Sequence, residues 1–279
     1  MRSPTQYPLA KDVVRWQGEP VAVVVANKRA VAEDALELVE IDYEDLDAQL
    51  DMETAMDKST KVIHDDLGNN LFWTRTVNQG DVIEAFKQSH IVEEVTLDFA
   101  RHTGVTLETR AIVADWDSSE ERMTIYHNGQ APHMMQSIIA KHLNISEGLV
   151  RIISCDVGGS FGIKVHVYPD EMVTVAVSKL LKRPVKFVAD RLESYSTDIH
   201  SRCHKISGKI GVDDKGKILA FEIDDLSGIG PFSVYPRTSA IETNQVLNLS
   251  AASYVVPNYK AKGTVAVSYT HLRAHETDY

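Results

Sequence analysis

The sequence predicts a mixed α+β fold, because stretches with strand and helix periods alternate along most of its length. Three observations carry that prediction. The β-branched run VAVVVA at 21–26 gives way to a helical stripe. A second apolar run, VRIISCDV at 150–157, leads through a glycine-rich loop to a helix bracketed by Pro169 and Pro184. A hairpin pattern spans 205–225, its turn at Asp213-Asp214-Lys215-Gly216. The 279 residues are 43% hydrophobic and 25% charged, ordinary values for a globular protein of about two domains. The net charge of -11 argues against nucleic acid or an anionic membrane as main partner. No apolar run approaches a membrane span, and the start carries no apolar signal core. Cys155 and Cys203 make no disulfide framework, so a cytoplasmic location is expected.

Taken in order, 21–26 reads as a buried strand and Asn27 as an N-cap. A helix follows with Val31, Ala35, Leu38 and Val39 on one stripe, and IDYEDL returns as a strand. Residues 45–70 are polar and acidic and read as a linker. Residues 81–88 form a short helix, and 90–100, 110–117 and 123–127 form strands. Pro132 opens a helix with Met135, Ile138 and Ile139 on one face, ending at Asn144. The 168–183 helix has Asp170 and Glu171 in its first turn and Lys182 and Arg183 in its last. Its interior is apolar nearly all round, which predicts burial between layers. PVKFVAD is a further strand.

The loop CDVGGSFGIKVHVYPDE carries the chemistry, since ligands commonly bind between such a strand and helix. It fails G-x-G-x-x-G, and it fails the phosphate-cradling loop because Ile163 and Val165 stand at required positions. It matches G-x-S-x-G literally at 158–162, the serine-hydrolase elbow, with Asp198 and His200 or His204 as possible partners for Ser160. Against this, the helix signal waits until Pro169, whereas an elbow needs its helix at once. A plain glycine turn or a non-catalytic binding module stays open beside it.

GGSFGIK, preceded by GQAPH at 129–133 and followed by RPVKFVADRLE at 183–193, resembles the large subunit of molybdenum hydroxylases. This is the family of xanthine dehydrogenase, aldehyde oxidoreductase and aerobic carbon monoxide dehydrogenase. GEPVAVVVA…AEDALELVEIDYE is similar to that family's α/β-hammerhead domain, and LETRAIVADWD to its next strand pair. The resemblance implies an N-terminally truncated hammerhead domain at 1–70. It implies the first part of a molybdopterin-binding α+β domain at 80–266, truncated C-terminally. It places Gln130 where a glutamine amide bonds a molybdenum oxygen ligand, and Phe161 beside the metal. Gly159, Ser160, Phe161 and Gly162 would bring backbone N–H groups against the cofactor. Ser160 and Ile163 stand where the family commonly has glycine. Val165 replaces a glutamate that binds purine in xanthine-type members, so the carbon monoxide and aldehyde branch is favoured.

The implied reaction hydroxylates an aldehyde, or oxidises carbon monoxide, with water as oxygen source. The implied cofactor is molybdenum-molybdopterin in its cytosine dinucleotide form. FAD and [2Fe-2S] clusters would sit on a medium and a small partner subunit, in a dimer of heterotrimers. The family's glutamate base lies beyond Ala266, so no catalytic residue is assigned.

Other residues have plainer readings. His200, Cys203 and His204 lie too close on one strand to converge on a metal. Cys155 reads as a small buried residue, and Glu108 with Arg110 as a structural pair. Asp190, Arg191 and Glu193 read as fixing a turn. Residues 267–277, VSYTHLRAHET, resemble a translated transposase adapter, so 267–279 is read as a tail foreign to the fold.

Overall fold

The computed structural model describes residues 4–268. Its elements are α1 (Arg29–Leu36), β1 (Leu71–Gln79), α2 (Val82–Gln88), β2 (Ile91–Phe99), β3 (Ala111–Asp117), β4 (Arg122–His127), α3 (Pro132–Leu143), β5 (Val150–Ile153), α4 (Pro169–Leu181), β6 (Val185–Val188), α5 (Arg191–Thr197), β7 (His204–Val212), β8 (Ile218–Gly228), α6 (Ile241–Leu249) and β9 (Asn258–Ala266). The mixed α+β expectation holds. The chain forms two compact units, neither contiguous in sequence: residues 4–5 and 48–102 with 200–268, and residues 6–47 with 103–199.

The first unit is a five-stranded sheet in the order β1-β9-β8-β7-β2. The hairpin β7–β8 pairs antiparallel, while β8 and β9 run parallel through α6. Helix α6 buries Leu247 against Ile223, Tyr259 and Ala261. Helix α2 is started by Asp81, whose side chain accepts the Glu84 N–H at 3.0 Å, and buries Val82 and Ala85 against Ala220. Val267 and Ser268 of the adapter-like stretch are buried. Residues 269–279 lie outside the described residues.

The second unit is a four-stranded sheet in the order β5-β4-β3-β6. β4–α3–β5 is a parallel crossover. The core joins Ile112, Ala114 and Trp116 of β3 with Met123 and Ile125 of β4. Met135 and Ile139 of α3, Val150 of β5 and Val175 of α4 complete it. Alternation along β3 and β4 places these side chains on the helix-covered face. Pro132 opens α3 and Asn144 closes it in the left-handed region.

Five expectations are corrected here. Residues 21–26 and 41–46 form no strand, and Val23 and Val25 are exposed. A β-branched run becomes a strand only where another strand takes its N–H and C=O groups, and none does among the described residues. α1 forms, but it starts from Lys28 rather than Asn27, without a side-chain cap, and its apolar stripe buries no residue. α4 covers one face of the sheet, and Leu180 is 77% exposed because nothing packs on its far side among the described residues. Cys155 is exposed, since β5 ends two residues before it. Asp190 and Glu193 do more than fix a turn: they form a reciprocal capping box that starts α5.

Candidate functional site

β4 and β5 are parallel neighbours, so the loops leaving their C-terminal ends lie side by side. The first loop carries Gln130 and the second carries residues 158–162. The Gln130 N–H donates to the Lys164 carbonyl at 3.1 Å, and the Ser154 hydroxyl to the Gly129 carbonyl at 2.8 Å. The Ser160 hydroxyl donates to Gln130 Oε1 and accepts the Lys164 N–H at 3.2 Å. The predicted site residues Gln130, Gly159, Ser160, Phe161 and Gly162 therefore sit on two joined loops of one unit.

The loop backbone is unusual. Phe161 has φ +51 and Gly162 φ +89, both in the left-handed region. Glycine adopts that region freely, but phenylalanine does so at a cost. The Phe161 ring is nevertheless 79% exposed. Gly158 is required for a different reason: a Cβ there would lie 2.5 Å from Glu108 Cβ.

Two ionic groups, each built on a buried cation, hold this geometry. Lys164, 1% exposed at its side chain, donates to Glu108 Oε2 at 2.8 Å, and the same oxygen accepts the Gly158 N–H at 2.7 Å. Desolvation pushes the Glu108 carboxyl up, but the Lys164 ammonium and the Gly158 N–H outweigh it and hold it below its usual value. Behind them, Arg110 forks onto Asp170 at 2.7 and 2.8 Å and donates to Asp198 at 2.6 Å. Its guanidinium lies 3.7 Å from the Tyr168 ring centroid, and the Tyr168 hydroxyl donates to the Ile163 carbonyl. Desolvation opposes the buried charge, but Asp170 and Glu171 hold Arg110 firmly protonated. Glu108 and Arg110 are thus not paired with each other. Each takes a partner 56 to 88 residues distant, which sequence spacing does not reveal.

The hydrolase elbow is not built. Ser160 donates to an amide oxygen rather than a histidine, and Asp198 is committed to Arg110 and Ser194. The loop continues into a single 3-10 turn, Ile163–Val165, before α4. His200, Cys203 and His204 have separate surroundings. His204 lies 2.8 Å from Asp225 and 3.5 Å from Glu242, and Cys203 Sγ lies 3.9 Å from Met52 Sδ. His200 Nε2 is buried without a hydrogen-bond partner among the described residues. Its burial, with the charges of Arg101 and His102, pushes its pKa down to about 4.

A family model described as the molybdopterin cofactor-binding domain matches residues 63–274. The chain belongs to this family. The aldehyde oxidase and xanthine dehydrogenase a/b hammerhead domain matches residues 1–47. The chain is 34% identical over 255 residues to the nicotine 6-hydroxylase large subunit of Paenarthrobacter nicotinovorans, covering 88% of this chain and 31% of that one. It is 29% identical over 276 residues to the carbon monoxide dehydrogenase large chain of Hydrogenophaga pseudoflava, covering 94% and 34%. Quinoline 2-oxidoreductase from Pseudomonas putida 86 superposes with a TM-score of 0.92 at 28% identity, over 96% of this chain and 34% of that one. The chain spans about a third of the length of these relatives.

The residues present fit the group that names this family. The Gly159 N–H, expected to face the cofactor, instead donates to the Val157 carbonyl at 2.9 Å, while the N–H groups of Ser160, Phe161 and Gly162 donate to no acceptor among the described residues. A Cβ at Gly162 would meet nothing within 4 Å, so the backbone there is open to a ligand. These three consecutive N–H groups are left open around the left-handed Phe161 and Gly162. Gln130 is exposed and keeps its amide NH2 free, because its Oε1 is the atom engaged by Ser160.

Proposed function

We propose that this chain is part of the molybdopterin-binding large subunit of a molybdenum hydroxylase. In that reading, 1–70 belongs to the hammerhead domain and 80–266 to the first part of the cofactor-binding domain, a division that the family matches support. The whole enzyme hydroxylates an aldehyde, or oxidises carbon monoxide, with water as oxygen source. The free NH2 of Gln130 beside the three free N–H groups of 160–162 carries the reading. When bound, the molybdenum-pterin group supplies the redox centre. Gln130 donates to an oxygen of that group. The N–H groups of Ser160, Phe161 and Gly162 hold its electron-rich edge, and the exposed Phe161 ring shields it from water. Glu108 and Lys164 keep the loop in place.

The reading extends to a cytosine dinucleotide form of the cofactor. It includes FAD and [2Fe-2S] clusters on medium and small partner subunits, a dimer of heterotrimers and a cytoplasmic location. Among the described residues no helix is long and apolar enough to cross a membrane. A second reading has an aromatic nitrogen heterocycle as substrate. The 34% identity to a large subunit named for nicotine 6-hydroxylation favours it.

The test is to produce the complete large subunit with its partner subunits. Molybdenum and pterin content are measured first, then turnover of aldehydes, carbon monoxide, nicotine-like heterocycles and purines. Stoichiometric molybdenum with aldehyde or carbon monoxide oxidation is expected. Absence of both metal and pterin, or fluorophosphonate labelling that Ser160→Ala abolishes, overturns the assignment.

A further inference from the structure

We propose that Ser160 is a positioning residue that decides which end of the Gln130 amide meets the ligand. The inference rests on the cofactor reading above and deepens it. A glutamine amide is nearly symmetric in shape but opposite in chemistry at its two ends: one oxygen accepts, one NH2 donates. Without a neighbour to choose, either end can face outward. Here the choice is made by a directional chain. The Lys164 N–H is a donor only, and it points at Ser160 Oγ at 3.2 Å. That occupies the hydroxyl oxygen as an acceptor and sends its single proton onward to Gln130 Oε1. The amide oxygen is thereby turned inward, and the NH2 is left for the ligand. Each member donates toward the site, an arrangement in which successive hydrogen bonds polarise one another.

The serine is itself fixed. Its carbonyl accepts the Ile163 N–H at 2.9 Å. The Gln130 N–H donates to the Lys164 carbonyl at 3.1 Å. Backbone and side chain of the glutamine are therefore both registered on the same short stretch, residues 160–164. The site so built presents a donor, which selects an oxygen acceptor such as an oxo group or a carbonyl and disfavours an N–H or O–H. Ser160 does not have positive φ, so alanine or glycine there removes the hydroxyl without adding strain.

The experiment uses the complete enzyme with Ser160→Ala, Ser160→Gly and Ser160→Thr, and Gln130→Ala alone and combined with Ser160→Ala. The readouts are molybdenum and pterin content, the electron paramagnetic resonance of the partly reduced molybdenum centre, and kcat and KM separately. Ala and Gly are expected to alter the resonance and lower kcat about 3- to 10-fold with little change in KM, the size of one hydrogen bond. Thr keeps the hydroxyl and restores both. In the Gln130→Ala background, Ser160→Ala should cost nothing further, since it acts through the glutamine. Cofactor loss from Ala and Gly but not from Thr also supports the role. Loaded Ser160→Ala enzyme identical to the parent overturns the Ser160 role alone, as do additive losses or equal cofactor loss in all three variants. A parent enzyme without molybdenum or pterin overturns the cofactor reading and this role with it.

Discussion

Each unit of the chain buries a basic side chain between two carboxylates, and the two differ in whether that charge can be lost. Arg110 lies in the unit that carries the glycine loop, with Asp170, Asp198 and Thr197 all accepting from its fork. His204 lies in the five-strand unit, between Asp225 and Glu242. Both side chains are almost fully buried. Arginine remains charged at any physiological pH, and its planar fork matches a carboxylate edge. Histidine titrates. Burial alone would depress His204, but the hydrogen bonds to Asp225 and Glu242 outweigh it and push its pKa up to about 9. Asp225 also keeps one buried oxygen, Oδ2, without a partner among the described residues, so this second cluster is less completely satisfied there. The contrast teaches that Arg110, which meets the loop through Tyr168, keeps its own charge at any working pH, while His204 gives the sheet a staple whose charge titrates.

The largest effect that could break this comparison is Arg110→Met. It leaves Asp170 and Asp198 buried without their cation and should cost about 3–5 kcal/mol in urea unfolding. The Arg110 contribution should also be flat between pH 6 and 9. A loss below about 1 kcal/mol would mean the cluster is not the anchor described. Next comes His204. Its folded pKa lies above its ordinary value of 6.5, so its stabilisation is complete below about 6.5 and lost as pH rises through about 9. That swing should amount to about 2 kcal/mol after screening by water, and His204→Gln should remove the slope. Stability curves of parent and variant that run parallel from pH 6 to 10 would refute it. The smallest effect sharpens the comparison at the helix starts. Asp190→Ala in one unit and Asp81→Ala in the other should each cost about 1 kcal/mol, because each side chain accepts an N–H at N3. Thermal melts resolve that difference. A neutral Asp190→Ala would show that the Glu193 half of the box suffices for α5.

The sequence was most legible where a signal is local. Pro132 and Asn144 bound α3, Pro169 and Pro184 bound α4, and Asp213 to Gly216 turn the β7–β8 hairpin. β1, α6 and β9 went unread. Trp73 and Val77 of β1 are only partly buried, and β9 follows a stretch with no strong period. α5 carried its signal in plain view, an Asp-x-x-Glu box at Asp190 and Glu193, which was read only as a turn. The site residues were legible through motif order, while the groups that hold them were not. Asp170 and Glu171 look from sequence like ordinary helix-start acids, yet Asp170 grips Arg110 and Glu171 accepts from His127 at 3.1 Å.

The sequence by itself determined the bounds of α3 and α4, the β7–β8 turn and the residues on the two loops, because capping, turn chemistry and motif spacing act within a few residues. Only the tertiary structure decided that 21–26 is no strand, that Glu108 answers Lys164 instead of Arg110, and that Ser160 turns the amide of Gln130. Strand pairing, ion pairing and the choice of an amide's outward face all depend on groups that arrive from far along the chain, and no local propensity fixes which of them will be there.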